Sequence, residues 1–184
     1  RGLGIATFLE WTGGNALQES VTVSVLAEEG VVEVFSAVNA MGQGIATSLT
    51  QLVVDVFGVS IEQVRVVLGD TDRGNGFGSA GSRSLFTGGS ALHEGAERTI
   101  DHARGLAAKE LEAAAEDIDY SQGRFSVKGT DLQIGLFELA GRQSGHRIVV
   151  DSSTTVGGPS WPNGCHVCEV ELDPATGDVA GLGY

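Results

Sequence analysis

Apolar and polar residues alternate along two early segments of the chain, residues 21–27 and 31–38, which are separated by Glu28-Glu29-Gly30. A period of two is typical of a strand with one buried face, and a short connection that contains glycine is typical of a hairpin. The pattern therefore predicts an antiparallel pair of strands. A further strand is predicted at residues 64–68, where a run of Val and Leu ends at Gly69-Asp70-Thr71.

Two other segments carry apolar residues at helical spacing. After Met41-Gly42-Gln43-Gly44, apolar side chains recur every three or four positions from Ile45 to Val56, and Gly58 is placed as a C-cap. A longer helix is predicted from about Ser90 to Glu116, because one stripe of its positions is apolar. That stripe consists of Leu92, Ala96, Ile100, Ala103, Ala107, Leu111 and Ala114.

The second half of the chain predicts shorter elements. In chain order they are a strand at 123–127, a helix near 136–140, a strand at 146–150, a crossing loop at 151–164, a strand at 166–172 and a turn at 173–178. With the elements of the first half, they predict a mixture of helices and strands.

Charge and composition exclude several classes of protein. Eleven Lys and Arg stand against 24 Asp and Glu, a net charge of −13, and a field of this sign opposes diffuse binding of nucleic acid or anionic lipid. No apolar run approaches the roughly 20 residues that span a bilayer. Two Cys suggest no disulfide framework. Glycine is abundant, at 28 of 184 residues, and it clusters in loops where the backbone must turn or approach a ligand.

The first candidate site is the segment Met41-Gly42-Gln43-Gly44-Ile45-Ala46-Thr47, which joins a strand to a helix. Its two glycines free the backbone, Gln and Thr offer hydrogen bonds, and a helix start presents unpaired N–H groups that suit a phosphate or a polar ring edge. The alternative is an ordinary glycine-rich turn that leads into the helix.

The second candidate is the loop from Gly69 to Gly89. It contains a G-x-G-x-x-G match at Gly76, Gly78 and Gly81, but the match does not directly follow a strand and lacks the βαβ context of a dinucleotide fold. There remains a cluster of N–H groups, Ser hydroxyls and Arg83 before a helix, which would form a pyrophosphate cradle. The alternative is a flexible surface loop.

Other reactive residues give no catalytic pattern. Cys165 and Cys168 are predicted on opposite faces of one strand and lack further metal ligands at suitable spacing. His93 and His102 are expected on the surface of the long helix. No Ser-His-Asp order, nucleophile elbow or paired carboxylates are found. The sequence therefore predicts binding loops without a visible catalyst.

Taken in order, these motifs resemble those of the molybdenum hydroxylases. The motifs are Met-Gly-Gln-Gly at 41–44, the helix that ends at Gly58, Gly69-Asp70-Thr71, Gly81-Ser82-Arg83-Ser84, and the stretch from Asn163-Gly164 to Gly177. The family includes xanthine dehydrogenase, aldehyde oxidase and aerobic carbon monoxide dehydrogenase, and the similar part is the large, molybdopterin-binding subunit. The resemblance covers nearly the whole chain, including its opening Arg1-Gly2-Leu3-Gly4.

The resemblance implies a fold and a division of the chain. The fold class is α+β, a two-layer arrangement of a mixed sheet with helices on one face. Residues 1–150 would form the molybdopterin-cofactor-binding domain. Residues 151–184 would form a crossing loop and the first strand of a second, similar domain. The chain is expected to be an internal piece of a longer subunit.

The resemblance also implies a cofactor, molybdopterin cytosine dinucleotide, and the residues that hold it. The turn at 42–44 and Thr47 would hold the pterin or its phosphates, the loop at 81–84 would hold the pyrophosphate and nucleotide, and two residues after the third strand would shape the same pocket. The implied cofactor-binding residues are Gly42, Gln43, Gly44, Thr47, Asp70, Thr71, Gly81, Ser82, Arg83 and Ser84. No residue is expected to bind metal directly or to be catalytic, because the family's catalytic glutamate would lie beyond Tyr184.

The implied activity is that of an oxidoreductase which transfers a water-derived oxygen onto an aldehyde, an N-heterocycle or carbon monoxide. Iron-sulfur clusters and FAD would lie on partner subunits or domains. The complete complex is expected to be a cytoplasmic dimer, and residues 1–184 alone are expected to be inactive. Two alternatives stay open, a non-catalytic scaffold or interaction domain that keeps the fold, and an independent nucleotide-binding module that uses residues 74–84.

Overall fold

A computed structural model describes residues 1–14 and 16–184. The strands are β1 (Gly2–Leu9), β2 (Gln18–Leu26), β3 (Val31–Ser36), β4 (Val64–Leu68), β5 (Ile118–Ser121), β6 (Arg124–Val127), β7 (Gln133–Gly135), β8 (Arg147–Thr155), β9 (Asn163–Leu172) and β10 (Val179–Gly183). The α-helices are α1 (Ile45–Phe57), α2 (Ser90–Glu110) and α3 (Leu136–Gly141).

The central sheet is mixed, with the strand order β4-β3-β2-β8. β2 and β3 form the predicted hairpin and pair antiparallel, so that Val23 lies opposite Val34. β8 pairs antiparallel with the other side of β2, whereas β4 runs parallel to β3. A parallel pair needs a crossover between its strands, and α1 supplies it.

α1 and α2 pack on the central sheet and bury its valines. Gly95 lets α2 approach closely, because a Cβ at this position would lie 2.7 Å from Val21 Cγ2. The core that results is apolar and fully buried, and it includes Val23, Val25, Val32, Val34, Leu49, Val53, Phe57, Ala91, Ala103 and Ala107. The expected fold class, a mixed sheet with helices packed against it, is confirmed by this arrangement and by the solved structures compared below.

A small antiparallel sheet, β5-β6-β7, follows α2. It is attached to the crossover helix by Tyr120, whose hydroxyl donates a hydrogen bond of 2.7 Å to the Phe57 carbonyl at the end of α1. Burial raises the pKa of this phenol, so it remains a donor at neutral pH.

The third sheet, β1-β9-β10, joins the two ends of the chain. β1 and β9 pair antiparallel along their length, with Ile5 opposite Val167. The ladder continues through the Glu10 N–H to the Pro162 carbonyl and the Thr12 N–H to the Ser160 carbonyl, both 2.9 Å. We call β1, β9 and these flanking residues the neck. Every residue of β1 is exposed.

The structure departs from the sequence-based expectation in three places. The long helix ends at Glu110 rather than Glu116, because Glu112 adopts a left-handed conformation (φ 52°) and the Ala113 N–H turns back to the Ala108 carbonyl. The strand expected at 146–150 continues to Thr155 as β8, so it crosses the expected domain boundary. The strands β1, β5, β7 and β10 were not predicted at all.

Candidate functional site

The first candidate segment forms the turn between β3 and α1. Gly42 and Gly44 take positive φ angles of 93° and 75°, which side chains other than glycine rarely adopt. Gln43 braces this turn, because its Nε2 donates to the Asn39 carbonyl (2.8 Å) and its Oε1 accepts from the Met41 N–H (2.6 Å). α1 begins at Ile45 without a side-chain cap, so its first N–H groups point out of the helix end.

The second candidate segment runs from β4 to α2. Gly69, Gly78, Gly81 and Ser82 have positive φ angles between 54° and 82°, and a π-helical turn, Ser84–Gly89, leads directly into α2. The G-x-G-x-x-G match therefore lies in an irregular loop, away from any strand-to-helix turn of a dinucleotide fold.

Asn39 joins the two segments. Its N–H donates to Ser79 Oγ (2.8 Å), and the same hydroxyl donates back to the Asn39 carbonyl (3.2 Å) and accepts from Ser84 Oγ (2.7 Å). Its amide group packs where a Cβ on Gly69 or Gly78 would come within 3.0 Å. These glycines are thus required for loop packing, which the sequence alone did not reveal.

A cavity of about 360 Å³ lies where these two segments meet. None of the residues that line it is charged. They are Met41, Gln43, Ile45, Ser48, Ser79, Ala80, Gly81, Ser82, Ser84 and Leu85. No carboxylate lies among these residues, so no side chain of the lining repels a ligand that carries negative charge.

The structure brings only part of the expected set to this cavity. Gln43, Gly81, Ser82 and Ser84 line it, while Gly42 and Gly44 shape the adjoining turn. Thr47 is exposed on α1 but is not among the lining residues, whereas its neighbour Ser48 is. Asp70 and Thr71 do not line the cavity either. The Asp70 carboxylate accepts a hydrogen bond from the Asp72 N–H (3.0 Å) and so shapes its own turn.

Arg83 has a different environment from the one expected of a phosphate ligand. Its side chain is completely buried, and Nη1 lies 2.7 Å from Glu19 Oε2. The guanidinium also donates to the carbonyls of Ala16, Gln18 and Gly78 at 2.6–3.0 Å. A direct bond from this guanidinium to a phosphate is therefore not supported by its contacts. The role expected of the backbone of the 81–84 loop stays a prediction.

A second ion-pair cluster holds the start of the same loop. Glu33, on β3, accepts hydrogen bonds of 2.6 Å from both Arg65 and Arg73, and the Arg73 guanidinium lies over the Phe35 ring. Burial raises the pKa of the Glu33 carboxyl, but the hydrogen bonds and charges of the two arginines outweigh burial and hold the pKa below its ordinary value. Glu33 therefore carries a negative charge at neutral pH.

The remaining candidates of the sequence lie outside this cavity. Cys165 and Cys168 are free thiols on β9, and His93 and His102 are exposed on α2. Within residues 1–14 and 16–184, no group of three or more His, Cys, Asp or Glu is placed to hold a metal ion. In the same residues, no helix combines the length and the apolar character that a bilayer span requires.

The comparison with known families decides the identity of this fold. Residues 1–184 match the family described as the molybdopterin cofactor-binding domain. The chain belongs to this family. The resemblance to the large subunits of molybdenum hydroxylases is thereby confirmed, and the cavity lies in a molybdopterin cofactor-binding domain.

Several curated relatives of this cofactor-binding domain are subunits of larger enzymes. The 6-hydroxypseudooxynicotine dehydrogenase complex subunit gamma of Paenarthrobacter nicotinovorans is 32% identical over 96% of this chain and 23% of its own length. The nicotine 6-hydroxylase large subunit of the same organism is 30% identical over 97% of this chain and 24% of its own length. The chain thus spans about a quarter of the length of these relatives.

Solved structures share the fold of this cofactor-binding domain. Quinoline 2-oxidoreductase from Pseudomonas putida 86 superposes with a TM-score of 0.78 and 27% identity, covering 98% of this chain and 26% of that chain. The Cu,Mo-CO dehydrogenase superposes with a TM-score of 0.77 and 24% identity, covering 98% of this chain and 25% of that chain.

Proposed function

We propose that the cavity between the 41–45 turn and the 79–85 loop holds the phosphates of molybdopterin cytosine dinucleotide, within the large subunit of a molybdenum hydroxylase. The observation that carries this proposal is the meeting of two glycine-rich segments and an uncapped helix start around a cavity lined by no charged residue. The pterin would lie towards Gly42, Gln43, Gly44 and Thr47.

The residues present fit an anionic group. The first N–H groups of α1 carry the partial positive charge of the helix dipole, and Ser82 adds a hydroxyl group at the cavity. In a chain of net charge −13, a phosphate is bound only where such donors are directed at it and carboxylates are absent. The absence of a carboxylate from the lining supports the proposal, and the N–H groups of α1 and of the 81–84 loop would supply the donors.

The chain's own residues bind and orient in this proposal, and the bound group would supply the redox chemistry of hydroxylation. Gln43 would fix the conformation of the turn beside the pterin, because its side-chain amide is hydrogen-bonded to the backbone of Met41 and Asn39. Gly81, Ser82 and Ser84 would contact the pyrophosphate and nucleotide, and Asp70 and Thr71 would fix the loop from outside. None of these residues is proposed as catalytic.

The complete protein is proposed to oxidise an aldehyde, an N-heterocycle or carbon monoxide as part of a cytoplasmic dimer. Iron-sulfur and FAD partners would carry the electrons away. Residues 1–184 alone are proposed to be inactive, because the rest of the large subunit would supply the catalytic base and the remaining cofactor contacts. Turnover of any such substrate by residues 1–184 alone would contradict this part of the proposal.

The decisive experiment places one negative charge in the cavity of the natural full-length polypeptide, purified with its partners. Ala80 lines the cavity with an exposed side chain, so Ala80→Asp adds a carboxylate there, and Ala80→Asn is the neutral control of the same shape. We expect near-stoichiometric molybdenum and released cytidine monophosphate in the wild type and in Ala80→Asn. We expect at least a tenfold loss of both in Ala80→Asp, because a carboxylate at the cavity would repel the phosphates of the cofactor.

Equal cofactor content in the two variants would contradict the assignment of the cavity. A different released nucleotide would contradict the cytosine dinucleotide form alone. A wild type with neither molybdenum nor nucleotide would favour the alternative, a scaffold domain that keeps the fold.

A further inference from the structure

We propose that Arg83 and Glu19 form a buried latch that fixes the 76–84 loop in its ligand-binding conformation. Arg83 is then a positioning residue, which acts on the cofactor through the loop and makes no contact with the phosphate. The inference rests on the proposed function of that loop, and it assigns a role to Glu19 that the sequence did not suggest.

The latch ties the loop to the beginning of β2. Nη1 of Arg83 bonds both Glu19 Oε2 and the Gly78 carbonyl of the loop itself, at 2.7 and 2.6 Å. Nε and Nη2 bond the Ala16 and Gln18 carbonyls at 3.0 and 2.9 Å. One planar guanidinium thereby connects two chain segments that are more than 60 residues apart in sequence.

The 76–84 loop packs closely against this pair. A Cβ on Gly76 would lie 2.4 Å from Ala37 Cβ and 3.2 Å from Glu19 Oε1, so the backbone passes close to Glu19 on β2 and to Ala37, which follows β3. The Phe77 ring lies 5.3 Å from the Arg83 guanidinium and covers it. Beyond Gly78, Ser79 bonds Asn39 and Ser84, which places the next residues of the loop at the cavity.

Complete burial distinguishes this pair from an ordinary surface ion pair. The side chains of Arg83 and Glu19 are 0% and 2% exposed. Burying two charges is costly, and apolar replacements of the same volume often stabilise a protein more. The benefit of the pair is therefore geometric, because its fork of hydrogen bonds fixes one loop conformation before the ligand arrives.

The test separates a latch from a direct phosphate ligand by changing Glu19, which does not line the cavity. The full-length protein with its partners is prepared as wild type, Arg83→Gln, Glu19→Gln and the double variant. Release of molybdenum and nucleotide is followed over time, together with limited proteolysis of the 70–84 loop in cofactor-depleted protein. Ile134→Ala, at a buried position of the β5-β6-β7 sheet, serves as a control that lowers stability without touching the loop.

We expect Glu19→Gln and Arg83→Gln each to release cofactor at least tenfold faster than the wild type and to expose the loop to protease. The double variant should be no worse than the Arg83 variant, because both changes break one unit. Arg83→Lys, which keeps the charge but not the fork, should be intermediate. The control should release cofactor at the wild-type rate.

Loss of cofactor in Arg83→Gln with full retention in Glu19→Gln would overturn the latch and make Arg83 a direct ligand. Retention in both variants, or equal loss in the stability control, would also overturn it. A wild type without cofactor would contradict the proposed function instead, and the proteolysis of the loop would then test the latch by itself.

Discussion

The arginines of the loop after β4 are neutralised by carboxylates of the central sheet. Arg73 bonds Glu33 on β3, and Arg83 bonds Glu19 on β2. Both carboxylates are buried, so neither arginine contributes a free positive charge to the cavity. The side chains that an anionic ligand would meet are therefore neutral, and attraction depends on N–H and O–H dipoles.

The Glu33 cluster gives a prediction about stability in acid. Because the arginines hold the pKa of Glu33 below 4.5, its ordinary value, the folded state binds the proton less readily than the unfolded state. This contribution to stability is present above pH 4.5 and is lost as the pH falls below it. Glu33→Gln should lower the unfolding free energy at neutral pH by about 1–3 kcal/mol.

The measurement is urea unfolding at a series of pH values. Below pH 4.5 the difference between wild type and Glu33→Gln should shrink, since protonated Glu33 resembles glutamine. The same substitution at Glu28, whose side chain is exposed in the turn between β2 and β3, is the control. A difference that stays constant from neutral to acid pH would contradict the role given to the two arginines.

At the scale of elements, α2 carries two glycines with opposite surroundings. A Cβ on Gly95 would lie 2.7 Å from Val21 Cγ2 on the sheet, whereas a Cβ on Gly105 would meet nothing within 4 Å. Both lie in the helix interior, where glycine is less favourable than alanine. The close approach of α2 to β2 therefore depends on one of them only.

Replacing each glycine by alanine should change stability in opposite directions. Gly95→Ala should destabilise by about 1–3 kcal/mol through overpacking against Val21. Gly105→Ala should stabilise by about 0.5–1 kcal/mol through helix propensity. Urea unfolding of the two variants measures both effects. An unchanged free energy of unfolding in Gly95→Ala would show that α2 can shift away from Val21 without loss of stability.

Elements with a long apolar pattern could be predicted from sequence, whereas the exposed strand β1 and the short strands β5 and β7 could not. The valines of β2 and β3 are buried because α1 and α2 pack on this sheet, while β1 is exposed throughout. The sequence predicts too long a helix α2 because apolar spacing continues through Leu111. The left-handed residue that follows the helix is Glu112 rather than a glycine, so no glycine marks the end.

For the site, the glycine pattern predicted which loops form the cavity, but not every expected side chain lines it, since Thr47, Asp70 and Arg83 do not. Gln43, Ser82 and Ser84 do line it. The environment of Arg83 could not be predicted, because its partner Glu19 comes from a strand 64 residues earlier. Asn39 and Ser79 connect the loops through contacts 40 residues apart. Such long-range pairings leave no local signal in a sequence.

At the scale of the whole molecule, the buried core and the neck differ in burial, and we expect them to differ in local stability. The sheet of β2 and β3 is covered by α1 and α2, whereas β1 forms an exposed edge of its own sheet. Hydrogen exchange of residues 1–184 should therefore show fast exchange for β1 amides through local opening. The amides of β2 should exchange only on global unfolding. Equal protection of β1 and β2 would show that the neck and the core unfold together.

The neck also sets the order in which the chain can fold. Pairing Leu9 with Asn163 closes a loop of 154 residues, and in an unfolded chain this closure costs on the order of 4 kcal/mol of entropy. Once β2 and β8 have paired at Gln18 and Thr155, the residues that lead into β1 and β9 already lie side by side. We therefore expect β1 and β9 to pair after the central sheet has formed, when their pairing costs little further entropy.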